Sequence, residues 1–210
     1  MKNNLLPVAK EGWKFVFYSA LAFVIFSVLD LEFLGFLAFL TTLMFVFVYR
    51  NPERDVPTFQ EASVVSPVDG VVLSIEELED DEYAYKVQIE GSYLDVAVLR
   101  APFSSLVEEF NITRGTKLPK FNPLAYKLNE NATIIFKDTA NNKIKISHRL
   151  KQSFDEIKID IFKEQKFQQG SRYGVMVDGV TTIYLPQNFR LNISVGNQVK
   201  ASESLIGYFS

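Results

Sequence analysis

The 210 residues include one histidine, His148, and no cysteine, so any acid–base or nucleophilic chemistry must be built from that imidazole, from carboxylates and from hydroxyls. Thiolate nucleophiles, disulfides and Cys/His zinc sites are excluded by composition, and no metal site is expected. A Ser-His-Asp triad would have to use His148, which lies in Ile144-Lys-Ile-Ser-His-Arg-Leu150. Alternation there puts it on one face of a strand, and the plain expectation is a surface or hydrogen-bonded strand histidine. Two serines follow a glycine, in Gly91-Ser92 and Gly170-Ser171. Asp69, in Ser66-Pro-Val-Asp-Gly70, suits a carboxylate that hydrogen-bonds turn amides. Arg114, Lys117 and Lys120 form a short basic run, read either as a solvated face or as a contact for lipid phosphate.

The elements that must position these residues fall into two parts. Residues 15 to 49 are almost entirely apolar, broken only by Asp30 and Glu32. Two runs, Phe15 to Leu31 and Phe33 to Tyr49, would each reach about 25 Å at roughly 1.5 Å per residue, the short end of a spanning helix. The acidic pair cannot sit cheaply at the bilayer centre, so a turn near residues 30–32 is expected, helped by Gly35, with both helices returning to one side. Lys2, Lys10 and Lys14 before the first run and Arg50 and Arg54 after the second place both chain ends in the cytoplasm by the positive-inside rule. Trp13, Lys14, Tyr49, Arg50 and Arg54 are the expected interfacial anchors. A cleaved signal peptide fits less well, because a second apolar run follows directly without a small-residue cleavage site.

Beyond residue 54 the chain carries seventeen Lys/Arg against twenty-one Asp/Glu, so it lacks the concentrated basic surface that nucleic acid requires. Residues 55–210 suffice for one compact domain after a 1–54 anchor. Short β-branched runs at 71–75, 85–89, 94–99, 132–136, 143–146 and 157–161, bounded by Gly, Pro and Asn, predict a mainly β domain, with turns at Glu61–Ser63 or Asn122–Leu128. Segments around Ser66–Val72, Ala101–Val107, Thr113–Leu118 and Val195–Ile206 resemble the half-motifs of biotinyl and lipoyl carrier domains, which form flattened β barrels or sandwiches. No lysine sits in the carrier hairpin, so the likeness concerns fold alone.

The succession of motifs is more specific. A hydrophobic hairpin precedes Tyr49-Arg-Asn-Pro-Glu-Arg54 and Val65-Ser-Pro-Val-Asp-Gly70; then come Asp95-Val-Ala-Val-Leu-Arg-Ala-Pro102, Asn129-Glu-Asn131, Gly170-Ser-Arg-Tyr-Gly-Val-Met176, Tyr184-Leu-Pro186 and Val195-Gly-Asn-Gln-Val199. In this order the chain resembles the short, membrane-anchored phosphatidylserine decarboxylases along nearly its whole length. The resemblance implies a chain that cuts itself at a Gly-Ser bond and turns the new terminal serine into a pyruvoyl group. That carbonyl forms a Schiff base with the substrate amine and accepts the electrons left when carbon dioxide departs. It also implies a histidine base supported by an aspartate.

The departures fall on those groups. The family's Phe-Gly-Ser falls on Asp178-Gly179-Val180, to within one position, and no serine lies between Arg172 and Leu191. Thr181 and Thr182 carry hydroxyls but are expected to be exposed strand residues, and threonine would give a longer keto-acyl group. The family histidine positions hold Ala97 and Arg100, and arginine is no base near neutral pH. Asp69 remains. The expectation is therefore a non-catalytic relative without a cofactor, whose partners are the phospholipid membrane, an aminophospholipid headgroup in a retained cleft, a second copy or an active paralogue. The alternatives are an active decarboxylase cut at Ser171, carrying pyruvoyl, and a structural envelope protein.

Overall fold

The computed structural model describes residues 6–54, 57, 62–79, 82–119 and 121–210; Lys2, Glu61 and Lys120 lie outside the described residues. The chain divides into two compact units, Met1–Glu53 and Arg54–Ser210.

In the first unit a 3-10 turn, Lys10–Gly12, runs into α1 (Trp13–Val28), and α2 (Glu32–Val48) follows after Leu29–Leu31. The reversal is made by Asp30, which takes the left-handed conformation (φ 56°) that a short polar side chain tolerates. Gly35 does not make the turn. It lies inside α2, where it and Ala38 are buried. Phe15 meets Phe45 and Phe23 meets Phe39 across the pair. Ser19, Thr41 and Thr42 return their hydroxyls to helix carbonyls three or four residues back, which lowers the cost of placing those three hydroxyls in an apolar solvent. The continuous helical run Lys10–Val28 is long and apolar enough to cross a membrane, and α2 is shorter. Most of the large apolar side chains of both helices are exposed, Val28 and Phe33 to 77%.

The second unit is β1 (Ser63–Val65), β2 (Gly70–Glu77), β3 (Tyr85–Glu90), β4 (Val98–Arg100), β5 (Ser105–Thr113), a one-turn α3 (Ala125–Leu128), β6 (Asn131–Lys137), β7 (Lys143–Leu150), β8 (Lys158–Ile159), β9 (Lys166–Phe167), β10 (Arg172–Val175), β11 (Gly179–Leu185), β12 (Phe189–Leu191), β13 (Gln198–Val199) and β14 (Leu205–Phe209). The main sheet has the order β13-β2-β3-β11-β7-β6-β5-β9, and two three-stranded sheets, β1-β14-β12 and β4-β10-β8, accompany it. All pairings of these strands are antiparallel, and the described sheets do not close into a barrel, which makes the unit a flattened, mainly β sandwich. Val72, Val87, Ile89, Ile134, Phe136, Ile144, Ile146, Ile183 and Leu185 fill one core with Tyr173 and Phe209.

Two expected strands contract. The run 94–99 is extended only from Val98, because Ser92 and Asp95 close a turn in which the Asp95 carboxylate accepts from the Ser92 amide and hydroxyl. The run 157–161 shrinks to Lys158–Ile159. Conversely β5 and β11 are full strands that apolar alternation does not reveal. The register of β5 shifts between Val107 and Glu109, and β11 places Thr181-Thr182 at its centre.

Candidate functional site

β11 runs through the middle of the main sheet, with Thr181 opposite Ile89 of β3 and His148 of β7. Alternation turns Gly179, Thr181, Ile183 and Leu185 to one face and Val180, Thr182 and Tyr184 to the other. Beside the start of β11 lies a cavity of about 10 Å³ lined by Asp69, Ala97, Gly179 and Thr181, together with Ser92, Asp95 and Met176. That is room for about one water molecule. Five positions singled out from sequence, Asp69, Ser92, Ala97, Gly179 and Thr181, thus converge here. Val180 does not line the cavity, and neither do Arg100 and Ser171.

Asp69 is fully engaged. Its carboxylate accepts two hydrogen bonds from the Arg54 guanidinium, at 2.5 and 2.6 Å, and one from the Ala201 amide at 2.8 Å. Both side chains of this ion pair are almost completely buried. The expected role of bonding its own turn amides is therefore corrected: Asp69 joins the start of the domain to a loop 132 residues further on. Arg54 is likewise corrected from an interfacial anchor to the partner of Asp69. Gly70, at φ 152°, is required after it, since a Cβ there would collide with the Glu90 carbonyl.

Ala97 offers a methyl group to the cavity, and its carbonyl accepts from the Met176 amide at 2.9 Å. Arg100 is buried elsewhere, in β4 opposite Arg172, and donates to the Gly170 carbonyl at 3.3 Å. Ser171 lies beside it, its backbone carbonyl accepting from the Ala101 amide. Among the described residues the Ser171 hydroxyl bonds no carboxylate or imidazole. Before Gly179, Asp178 adopts a left-handed φ of 56° and ion-pairs with Lys151 at 2.9 Å, which also reaches Glu90 at 3.0 Å. Burial works to lower the Lys151 pKa, but the two carboxylates outweigh it and the ammonium form is favoured.

His148 is not on the surface. It is fully buried, with Nδ1 2.8 Å from the Thr181 hydroxyl and Nε2 2.7 Å from the Tyr173 hydroxyl. Thr181 is also fully buried and Thr182 nearly so, which corrects the expectation of exposed strand threonines. Burial holds the imidazole pKa down at about 3 and pushes the Tyr173 phenol up, so the trio is uncharged at neutral pH. A neutral imidazole offers one donor and one acceptor, which the two hydroxyls satisfy. Chemically it is a base next to a hydroxyl. Sealed in the core, it is equally a satisfied polar contact between three strands.

Sequence reasoning missed the work of Asn129 and Glu130. The Asn129 amide oxygen accepts from the Thr116 hydroxyl and the Leu118 amide, and its NH2 donates to the Leu118 and Leu150 carbonyls. Glu130, also buried, accepts from Arg114 and from the Ile157 amide. Together they lash the 114–128 loop to β7, and the only sequence signal was their place in Asn129-Glu-Asn131. In the first unit Trp13 is 44% exposed and Lys14 lies over the Phe15 ring, while Arg50 lies over Phe47. Tyr49, expected at an interfacial belt, is instead buried and stacked on Phe15 at 5.5 Å.

The sequence model of the phosphatidylserine decarboxylase family matches residues 41–207. Among curated relatives named phosphatidylserine decarboxylase proenzyme, that of Desulfotalea psychrophila is 28% identical over 212 residues, covering 99% of both chains. The relative from Geobacter sp. strain M21 is 30% identical over 218 residues, again covering 99% of both. That of Carboxydothermus hydrogenoformans is 37% identical over 134 residues, covering 62% of each.

Proposed function

This chain belongs to the phosphatidylserine decarboxylase family, and we propose that within it the protein is a non-catalytic, membrane-anchored member in which the decarboxylase scaffold persists without its self-cleavage chemistry. The carrying observation is that, in the cavity where Asp69 meets the cleavage strand, the position expected for the family histidine offers only the Ala97 methyl group, and the residue that follows Gly179 is Val180. A pyruvoyl group does not fit these residues: it forms from a serine, and the neighbouring Val180 side chain has no hydroxyl and lies off the cavity. The apolar hairpin supports anchoring in the inner membrane, and the flanking Lys10, Lys14 and Arg50 support a cytoplasmic domain. The phospholipid surface is the partner that this anchoring supplies, with an aminophospholipid headgroup as the candidate ligand. Remaining partners for such a scaffold are a second copy or an active paralogue.

A second reading rests on the 2.8 Å approach of His148 to Thr181. With His148 taking its proton, the Thr181 hydroxyl could attack the Val180 carbonyl and shift the acyl group from nitrogen to oxygen. Elimination of that ester would release the Val180 carboxylate, and water would displace the nitrogen as ammonia to leave a 2-oxobutanoyl group, one carbon longer than pyruvoyl. Against this, Val180 and Thr181 are both paired on each side by regular antiparallel neighbours. Incubation with phosphatidylserine vesicles followed by borohydride trapping separates the readings. The proposal expects no carbon dioxide release and no trapped adduct; either would overturn it, and an adduct lost in Thr181→Val would establish the second reading.

A further inference from the structure

Between Phe110 and Asn129 the chain carries four Lys/Arg and no Asp/Glu, in a protein of net charge −3. The same stretch exposes large apolar side chains on the β domain, with Phe121 88%, Tyr126 63%, Leu124 53% and Leu128 47% exposed. Leu124 and Leu128 are neighbours one helical turn apart, since the Leu128 amide bonds the Leu124 carbonyl, and Phe121 precedes Leu124 by three residues. Ala125 faces inward and is buried. The base of the segment is fixed where Asn129 bonds Thr116 and Leu118. Arg149 lies 3.9 Å over the Tyr126 ring and adds a cation at the edge. Arg114, by contrast, is occupied by Glu130 and Glu156.

We propose that this basic and apolar tip is a second membrane contact, in which Phe121, Leu124 and Leu128 enter the headgroup region of an anionic bilayer while Lys117 and Lys127 meet lipid phosphates. Leucine and phenylalanine flanked by lysine are the composition of an interfacial contact. A second copy fits poorly, because a two-fold contact would bring two like-charged segments together. Chain continuity supplies the bilayer: only Tyr49–Glu53 separates the end of α2 from the β domain. The inference rests on the anchoring part of the proposed function and adds a place and a lipid charge to it.

The absence of cysteine makes the test clean. The full chain carrying Leu124→Cys, labelled with an environment-sensitive fluorophore, is placed in nanodiscs of phosphatidylglycerol or phosphatidylcholine, each with brominated lipid. Trp13, the single tryptophan, reports independently on hairpin insertion. The expected result is Trp13 quenching in both lipids, but label quenching at least threefold greater in phosphatidylglycerol, lost in 0.5 M salt or in Lys117→Glu/Lys127→Glu. A label at exposed Val195 should stay unquenched. Equal label quenching in the two lipids, or none at position 124 while Trp13 is quenched, overturns the inference and leaves the anchor standing. No Trp13 quenching would instead overturn the anchor reading beneath it.

Discussion

Two neighbourhoods of the β domain carry the family's motif residues, and they are built differently. Where motif residues tie loops together, every polar group is in place: Asp69 with Arg54 and Ala201, Asn129 with Thr116, Leu118 and Leu150, and Glu130 with Arg114 and Ile157. Around the small cavity beside β11, Ala97 contributes a methyl group and Gly179 no side chain, while the hydroxyls of Ser92 and Thr181 are bonded to Asp95 and His148. Asp69 belongs to both neighbourhoods, and its hydrogen bonds explain its presence without any catalytic duty. A buried carboxylate facing a buried guanidinium cannot be removed cheaply, because the other charge is left behind in the core.

That contrast fails first at Asp69 if it is wrong. Asp69→Ala should leave the buried Arg54 guanidinium with only Glu203, at 3.6 Å, and the Ala201 carbonyl as partners, and cost about 3 kcal/mol in chemical denaturation of the β domain. A loss below about 1 kcal/mol would mean that the ion pair is dispensable and that another reason for Asp69 must be found.

His148 gives the next largest effect and a pH signature. Folded, the imidazole stays neutral down to about pH 3; unfolded, it takes up a proton below its ordinary value of 6.5. Its contribution is therefore complete above pH 6.5 and is lost as the pH falls toward 3, by up to about 1.4 kcal/mol per pH unit. His148→Gln should be less stable at pH 7, by about 1–3 kcal/mol if one buried hydroxyl loses its partner. Its stability should also decline less steeply on acidification, and parallel pH profiles for the two proteins would show that His148 is not buried neutral.

Smaller effects sharpen the distinction between structural and chemical hydroxyls. Thr181→Val is expected to cost about 1 kcal/mol, the worth of one hydrogen bond, and to leave the chain's mass pattern unchanged. Ser171→Ala should change stability by less than about 0.5 kcal/mol and processing not at all, because that serine is only partly buried and outside the cavity.

The fold class was legible in the sequence because β-branched runs such as Ala132-Thr-Ile-Ile-Phe136 alternate cleanly, and because thirty-odd apolar residues broken only by Asp30 and Glu32 admit few structures. The site was legible as a set of positions, since the order of motifs located Asp69, Ala97 and Gly179 before any contact was known. What each position does was not legible. Nothing local marks Arg54 as the partner of Asp69, for the charge that balances the carboxylate sits across a loop and not on one element. The burial of His148 and Thr181 depends on Tyr173 and on sheet order, which a single strand's alternation does not encode. Gly35 looked like a turn residue because glycine is the usual bearer of left-handed backbone, yet Asp30 took that role.

The most direct measurement is the intact mass of the purified chain. The account predicts one polypeptide near 24.0 kDa that yields no smaller partner on denaturation and no product with hydroxylamine. Two fragments summing to that mass, one of them beginning with a blocked keto terminus, would contradict it.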